Sequence, residues 1–314
     1  MSSPAMRVAS APVSFGVDEV MMDDAWMPTP DDMLDWMVDI GYQGTELGPP
    51  GFLGDAGELR ERLSSRGLAF IGSFMPQHFS RAEKADADRA WLRENLKLVR
   101  DGAPAGSQPL AILSDHFDEP DRLRWSGRIA AHPETWLPAE RLRVFMDNLH
   151  RAAEICREEG LEPVLHPHAG TYVETADEIA RVMDRIDPSL VGLCLDTGHF
   201  RFGGADPARS VVDYGDLVRH VHIKDCRTSV IAGLDGDDKG LETALKRGVF
   251  CPFGEGDVDI EAVITALRER DYGGWLVVEQ DQALVTGDTP ASVIAGQRFN
   301  LEYLRRFEAD VPAG

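Results

Sequence analysis

The chain contains 314 residues, 43% of them hydrophobic, which is enough for one large α/β domain or two smaller ones. Its formal net charge of -22 argues against a nucleic-acid partner, because phosphate backbones bind basic surfaces. The four cysteines form no CxxC pair, and no uninterrupted apolar stretch is long enough to span a bilayer. The N-terminal residues lack a basic segment followed by an apolar one. We therefore expect a soluble cytoplasmic protein with reduced thiols and no membrane partner.

Eight short runs rich in Val, Leu and Ile predict buried parallel strands. In chain order they cover residues 7–15, 44–48, 68–74, 110–114, 163–168, 191–196, 218–224 and 275–279. Amphipathic segments lie between or after them, at residues 31–40, 58–66, 82–100, 139–159, 175–186, 207–214, 260–270 and 290–307. This alternation, without a Gly-rich phosphate loop, favours a closed (β/α)8 TIM barrel over a doubly wound sheet. We expect one TIM-barrel domain over residues 1–314, since no break in composition marks a second one.

Two long segments interrupt the alternation, and we call them the first rim insertion (residues 115–138) and the second rim insertion (residues 228–256). Both follow predicted strands, on the side of a barrel where the loops after the strands form the rim. We expect them to border a pocket there, with Trp125 or Trp136 as an apolar wall. The alternative is that they are plain surface insertions.

Polar residues end three of the predicted strands in the C-terminal half of the chain. Asp196 ends the run VGLCLD, His222 ends VRHVH and Glu279 ends WLVVE. Since strand ends meet at one rim of a barrel, two carboxylates and an imidazole should converge there, which predicts a divalent-metal site. A Glu in apolar surroundings also needs a cation or another partner. The alternatives are a helix-capping role for Asp196 and a core role for His222.

The fourth ligand is ambiguous from the residues alone. The segment HPHAGTYVE places His166 and His168 on one side of a strand and Glu174 at the start of the following helix. Hard divalent cations prefer oxygen ligands, and imidazole suits Mn²⁺ or Co²⁺ better than Mg²⁺. This preference favours Glu174 as the fourth ligand and leaves the histidines for acid/base work. The alternative is that His166 binds the metal directly.

Five ordered motifs resemble those of the xylose-isomerase-like TIM barrel superfamily, which contains sugar isomerases and epimerases, inosose dehydratases and endonuclease IV. They are GTELG at 44–48, HPHAGT at 166–171, LDTGH at 195–199, HIKD at 222–225 and VEQD at 278–281. The opening segment APVSFG at 11–16 is most similar to the inosose dehydratase branch. The resemblance implies metal ligands Glu, Asp, His and Glu from strands five to eight. Asp196, His222 and Glu279 match this set, whereas His166 stands where many relatives carry the first Glu.

The resemblance implies an enzyme that acts on a small-molecule sugar or cyclitol with a divalent metal, which we expect to be Mn²⁺, with Mg²⁺, Co²⁺ or Zn²⁺ as alternatives. We predict a lyase that dehydrates a keto-polyol such as an inosose through an enediolate. The alternatives are a sugar isomerase or epimerase, a lyase that cleaves 3-keto-glycosides, and a metal-free binding protein. The histidine ligands of the multi-zinc endonuclease are not evident, and the acidic charge also argues against DNA repair. Assembly into a homo-oligomer stays open.

Lys224 and His168 are the predicted catalytic residues. Lys224 shares a strand face with His222, and a nearby cation should lower its pKa, so that Lys224 acts as the base. His168 is then the acid for the departing hydroxide. The alternative for Lys224 is an ion pair with Glu46 or Asp225. The residues predicted to bind substrate oxygens are Glu46, His166, His199 and Arg227.

Overall fold

The computed structural model describes residues 7–17, 26–236, 238–281 and 288–308. Eight parallel strands close into a barrel, which confirms the predicted fold. They are β1 (Arg7–Ser10), β2 (Gly44–Glu46), β3 (Ala69–Gln77), β4 (Leu110–Asp115), β5 (Glu162–Leu165), β6 (Gly192–Asp196), β7 (Val218–Ile223) and β10 (Trp275–Val278). Strand β10 closes the ring by pairing with β7 and β1. Two more strands, β8 (Asp225–Cys226) and β9 (Phe250–Cys251), pair antiparallel outside the barrel.

The predicted helical segments all have counterparts among the described residues, with small shifts at their ends. The helices are α1 (Pro30–Ile40), α2 (Ala56–Arg66), α3 (Ala85–Gly102), α4 (Pro120–Trp125), α5 (Ala139–Glu158), α6 (Ala176–Met183), α7 (Thr197–Phe202), α8 (Pro207–Tyr214), α9 (Thr228–Ala232), α10 (Gly240–Lys246), α11 (Ile260–Glu269) and α12 (Pro290–Glu308). Capping explains several starts: Asp55 and Thr175 each form a capping box, at α2 and α6. Within the described ranges, every helix is too short or too polar to cross a bilayer.

The end of the first predicted strand differs from the prediction. Residues 12–15 form a 3-10 helix, because Pro12 has no N–H for a ladder and Gly16 reverses the chain at a φ of 78°. The turn brings the Ser14 hydroxyl to the carbonyl of Val278, at 3.2 Å, so it fixes the end of β10. Because Glu279 follows directly, this turn supports one of the predicted site residues.

Alternation along the strands separates an apolar lower layer of the barrel interior from a polar upper layer. Val164, Cys194 and Val277 are fully buried inside the barrel. Side chains repeat their direction every second residue, so His166, Asp196 and Glu279 lie directly above them on the same strands. The inward faces of these three strands thus continue into polar groups at the carboxyl rim.

The two rim insertions pack against each other above this rim. Gly240 at the start of α10 lies against the Leu123 carbonyl of the first insertion, so closely that a Cβ would clash. The Arg122 guanidinium forms a buried ion pair with Glu178 of α6, at 2.7 Å, and donates to the Thr171 carbonyl. The first insertion is therefore fixed to the loop that follows β5.

The aromatic contacts from the insertions to the rim come from other residues than predicted. Trp125 stacks on His132, with ring centroids 3.7 Å apart, and Trp136 donates to the Ile129 carbonyl, so both tryptophans pack within the first insertion. Phe117 of the first insertion stacks on His168, and Phe250 of the second packs edge-on against His199. The insertions therefore border the predicted site through these two phenylalanines.

Candidate metal centre and active site

Four side chains from four strands converge at the carboxyl end of the barrel, and we call them the inner cluster: His166, Asp196, His222 and Glu279. Each offers one ligand atom, and these atoms all lie within 4.8 Å of one another. The three residues predicted from strand ends are thus brought together. The fourth member is His166, which follows β5.

Glu174 is not part of this cluster, contrary to the sequence prediction. Its carboxylate accepts hydrogen bonds from the Ser126 hydroxyl at 2.6 Å, from Gly127 N at 2.8 Å and from Gly170 N at 2.6 Å. Burial raises the pKa of Glu174, although these donors and Arg122 act in the opposite direction. The prediction relied on the oxygen preference of hard cations. Glu174 instead joins the first rim insertion to the loop after β5.

The inner cluster has the donors and the unsatisfied atoms that a divalent cation requires. Asp196 Oδ2 and His222 Nδ1 are buried, lie 3.5 Å apart and make no hydrogen bond, although each is within ion-pair distance of another charged group. Buried polar atoms without partners are costly, so a ligand for them is expected. Two imidazoles and two carboxylates suit Mn²⁺, Co²⁺ or Zn²⁺ better than Mg²⁺. The residues present therefore fit a divalent metal.

Glu46 supports the inner cluster from behind. Its Oε1 accepts from His220 Nε2 at 2.7 Å and from His222 Nε2 at 3.0 Å. Burial would raise the pKa of Glu46, but the two histidines outweigh it and hold the pKa below its usual value. A carboxylate on the far nitrogen of a ligating histidine fixes its orientation and increases its basicity. The structure thus places Glu46 behind His222, in contrast to the predicted contact with substrate.

Lys224 continues the inward face of β7 and lies among carboxylates. Its Nζ is 3.1 Å from Asp196 Oδ2, 2.9 Å from Glu279 Oε2 and 2.8 Å from Asp281 Oδ1. Burial would lower the pKa of Lys224, but the three carboxylates outweigh it and hold the pKa well above its usual value. Asp281 and the two cluster carboxylates thus stabilise the ammonium form, whereas the predicted decrease of the pKa concerns the metal-loaded site.

His168 and His199 form a second pair of rings beside the cluster, with centroids 3.8 Å apart. His168 Nδ1 lies 2.8 Å from the Ala169 carbonyl, which can only accept, so Nδ1 carries the proton and Nε2 bears a lone pair. Burial, with His166 and Lys224 nearby, lowers the pKa of His168 to about 3. His199 Nε2 is 3.1 Å from Lys224 Nζ. Both histidines therefore adjoin the predicted catalytic lysine.

Arg227 lies away from the inner cluster. Its guanidinium pairs with Glu255 and donates to the Gly248 carbonyl at 3.2 Å, both in the second rim insertion. The predicted contact with substrate oxygens is therefore not supported by its position. The sequence signal was only its place three residues after Lys224, and the turn at β8 takes the side chain outward.

Two features of the site were not predicted from the sequence. Asp281 contacts both Lys224 and His199, the latter at 3.6 Å, and burial raises its pKa to about 7 although Lys224 acts in the opposite direction. Asp225 does not pair with Lys224. Its carboxylate accepts four backbone N–H groups of the loop around the second insertion, at 2.8 to 3.1 Å. The available signal for Asp281 was its place two residues after Glu279, just beyond the end of β10.

Gly198 and Thr197 of the LDTGH motif adjoin Lys224. Thr197 Oγ1 donates to the Lys224 carbonyl at 2.7 Å and accepts from its N–H at 2.8 Å. A Cβ on Gly198 would lie 2.5 Å from Lys224 Cγ, well inside contact distance. The glycine therefore leaves the space through which the lysine side chain passes.

A second group of similar residue types lies at the ends of β3 and β4, and we call it the outer cluster: His78, His116 and Asp118. His78 Nδ1 is 3.0 Å from Asp88 Oδ1, and His78 Nε2 is 3.3 Å from Asp118 Oδ2. Both oxygens of Asp118 also accept from Arg81, at 3.1 Å. This cluster is more exposed and has its own cation.

The sequence profile of the xylose isomerase-like TIM barrel family matches residues 34–303. The inosose dehydratase of Geobacillus kaustophilus is 36% identical over 279 residues, which cover 88% of this chain and 87% of that protein. The inosose dehydratase of Clostridium beijerinckii is 27% identical over 78% of this chain and 80% of that protein.

Two solved structures show the same fold. The IolI protein with a bound zinc atom has a TM-score of 0.70 at 16% identity, over 96% of this chain and 99% of that one. The probable 3-DHS dehydratase AsbF from Bacillus anthracis has a TM-score of 0.66 at 14% identity, over 95% of this chain and 99% of that one. At these identities the likeness concerns the barrel and not the substrate.

Proposed function

The chain belongs to the xylose isomerase-like TIM barrel family, and on this basis we propose that it is a divalent-metal-dependent dehydratase of a keto-cyclitol such as an inosose. The observation that carries the proposal is the inner cluster, with an ammonium group and an imidazole lone pair beside it. The likeness to inosose dehydratases over most of the chain supports the substrate.

His166, Asp196, His222 and Glu279 would hold the metal, with Mn²⁺ as the expected ion. When bound, a divalent cation supplies a Lewis acid for the carbonyl oxygen and the adjacent hydroxyl of the substrate. Glu46 orients His222 through its Nε2 atom, at 3.0 Å. The buried position of Asp196 and His222 keeps bulk water from these ligands.

His168 is the proposed base. Its Nδ1 proton is committed to the Ala169 carbonyl, so Nε2 is free to take the proton from the carbon next to the carbonyl. This role is the reverse of the sequence-based expectation, which made His168 the acid. The electron pair of the broken C–H bond then forms the double bond of the enediolate.

Lys224 is the proposed acid. Its Nζ contacts three carboxylate oxygens, which is the arrangement expected of an ammonium donor. It would give a proton to the β-hydroxyl as the C–O bond breaks, so that one water leaves and the proton taken by His168 balances the reaction. Phe250 lies over the ammonium, 4.8 Å from Nζ to the ring centroid, and limits water access.

The direct test is incubation of the Mn²⁺-loaded protein with an inosose, followed by mass spectrometry. We expect the product to have lost one water. A product that retains its water but has exchanged the α-proton for deuterium in deuterated solvent would instead identify an epimerase. Release of an aglycone from a 3-keto-glycoside would identify a lyase that cleaves such glycosides.

The roles of the two residues are tested by the same exchange reaction. His168→Ala should lose α-proton exchange, whereas Lys224→Met should retain exchange and lose the elimination of water. Both variants should keep their metal. Exchange that survives in His168→Ala but vanishes in Lys224→Met would reverse the assignment.

A further inference from the structure

We call the solvent-facing carboxyl end of the barrel the mouth of the site. The side chains that keep some solvent exposure there show from which side a substrate can approach. Asp196, His199, His222 and Lys224 are each at most 2% exposed. Glu279 and Asp281 keep 13% and 14% of their side chains exposed. His168, Phe74 and Phe117 are also only partly buried. A substrate therefore reaches the inner cluster between two carboxylates and two phenyl rings.

These two groups face each other across the barrel. In the ring of eight strands, β4 is four strands away from β10, and β3 is four strands away from β7. Phe117 follows β4, opposite the carboxylates that follow β10. Phe74 lies on β3, opposite the Lys224 side of the site. The mouth thus has an apolar wall (Phe74 and Phe117) and a carboxylate wall (Glu279 and Asp281).

The apolar wall is continuous with His168, the proposed base. Phe117 stacks on His168 with centroids 5.5 Å apart, and Phe74 lies 5.8 Å from both His168 and His166. Phe74 and Phe117 are 6.5 Å apart. A molecule that contacts these rings therefore lies next to the imidazole that would take its proton.

Five arginines of the rim insertions and nearby segments are held by partners within the protein. Arg81 and Arg141 pair with Glu119, Arg122 pairs with Glu178, and Arg227 pairs with Glu255. Arg128 donates to the backbone carbonyls of Arg124 and Asp238. None of these six contacts offers a guanidinium to a phosphate or carboxylate on a substrate. Asp196, Glu279 and Asp281 share the ammonium of Lys224, so with a divalent cation their charges balance and no net positive charge is left for an anionic substrate.

We propose that this two-sided mouth selects an uncharged six-membered ring, which places the C–H groups of one face on Phe74 and Phe117 and its hydroxyls toward Asp281. Aromatic rings provide apolar area for such a face, and a carboxylate accepts from hydroxyl groups. An open-chain ketose has no rigid apolar face, and a carboxylated ring finds no uncommitted cation, because Lys224 is already held by carboxylates. The inference rests on the proposed dehydration of a keto-cyclitol and assigns its specificity to these residues.

Binding of unreactive ligands tests this selection separately from the chemistry. The Mn²⁺-loaded protein is titrated by calorimetry with myo-inositol, as an uncharged ring, and with mannitol, as an open-chain polyol. We expect Phe117→Leu and Phe74→Leu each to weaken inositol binding by about three- to tenfold and mannitol binding by less than twofold. Phe299→Leu, at an exposed position on α12, is the control and should change neither.

The charge selection is tested with 3-dehydroshikimate, a six-membered ring ketone that carries a carboxylate. We expect wild-type protein to bind it at least about tenfold more weakly than inositol. In Asp281→Asn this difference in affinity between the two ligands should be smaller. Equal weakening of inositol and mannitol in the leucine variants, or wild-type binding of the anion as tight as that of inositol, would overturn the inference. Selective inositol binding without loss of water from an inosose would leave the inference standing and reject the proposed dehydration.

Discussion

The inner cluster and the outer cluster contain the same residue types at the same rim, yet they differ in burial and in partners. In the inner cluster, His166, Asp196 and His222 are at most 2% exposed, and Asp196 Oδ2 and His222 Nδ1 have no hydrogen-bond partner. In the outer cluster, Asp118 is 37% exposed and both its oxygens accept from Arg81. Arg81 neutralises the outer carboxylate, although His116 Nδ1 lacks a hydrogen bond there, whereas the inner carboxylates of Asp196 and Glu279 share the single ammonium of Lys224 with Asp281 and leave negative charge for a further cation.

Ring orientation separates the two clusters further. His78 and His116 stack with centroids 4.1 Å apart and planes inclined by only 8°. The lone pairs of imidazole lie in the ring plane, so two stacked rings cannot direct them at one ion. The planes of His166 and His222 are inclined by 48° at 5.0 Å, which permits convergence. Similar composition and spacing therefore give a candidate metal centre in one place and an ion-pair network in the other.

Loss of a proposed ligand should have the largest effect. Partners behind metal ligands already contribute about 10- to 100-fold to affinity or activity, so Asp196→Asn is expected to reduce turnover by more than about 100-fold and to abolish stoichiometric metal. Asp118→Asn in the outer cluster should change turnover by less than twofold. Elemental analysis and steady-state rates measure both. Full metal content and turnover in Asp196→Asn would remove the distinction between the clusters.

Each cluster has a carboxylate that contacts one of its histidines from behind, and replacing these two carboxylates should give an effect of intermediate size on metal affinity. Glu46 accepts from His222, and Asp88 contacts His78 in the same way. Glu46→Gln is expected to lower metal affinity by about 10- to 100-fold with the fold retained, because the orientation and basicity of His222 depend on it. Asp88→Asn should leave metal affinity unchanged. Titration with Mn²⁺ followed by circular dichroism checks both properties, and equal metal affinities in the two variants would contradict the assignment.

Asp115, which ends β4 next to the outer cluster, shows what burial does to a carboxylate without a close cation. Burial raises its pKa to about 7, although the Tyr172 N–H donates to it. The folded state then holds this proton more tightly than the unfolded state, so its ionisation lowers stability as the pH rises from about 4 to about 7.

Asp115→Asn removes that ionisation. We expect the variant to gain up to roughly 4 kcal/mol of unfolding free energy at pH 8, and much less at pH 4.5. Urea unfolding at the two pH values provides the measurement, with Asp118→Asn as the exposed control. A gain of the same size at both pH values would show that the effect is not electrostatic.

Replacement of Glu174 should give the smallest change, a loss of stability without a loss of metal. It tests the conclusion that Glu174 is not a metal ligand. Glutamine keeps one acceptor but cannot satisfy all three donors, which should cost about 1–3 kcal/mol of stability. Metal content of Glu174→Gln should remain that of the wild type. Thermal unfolding and elemental analysis measure the two properties, and loss of metal in this variant would restore Glu174 as a ligand.

The barrel and three of the four members of the inner cluster follow from regularities that a sequence displays directly. Strand periodicity places Asp196, His222 and Glu279 at one rim, because parallel strands end on the same side. The position of Glu174 could not be obtained in this way, since its three donors include Ser126 and Gly127 of the first rim insertion. Contacts between segments far apart in sequence have no local signature.

The pKa of Lys224 also depends on contacts between segments that are far apart in sequence. The sequence prediction considered only a nearby metal cation, whereas the structure adds a contact between Asp281 and Lys224, at 2.8 Å, that stabilises the ammonium form. The apolar wall shows that the contacts of loop residues are equally hard to predict from sequence. The prediction named Trp125 and Trp136, but the residue that stacks on His168 is Phe117. The conformation of the insertions decides which aromatic ring reaches the site.

The close approach of Gly198 and Lys224 makes the order of mutations important. Any side chain at position 198 would collide with the methylene groups of the lysine. Gly198→Ala alone should therefore displace the ammonium group, while in a Lys224→Ala background the contacts with Cγ and Cδ are gone and only the contact with the Cβ of residue 224, at 2.8 Å, is left to relieve. The two positions form an epistatic pair. In a series of substitutions that replaces the lysine, residue 224 must become shorter before residue 198 becomes larger.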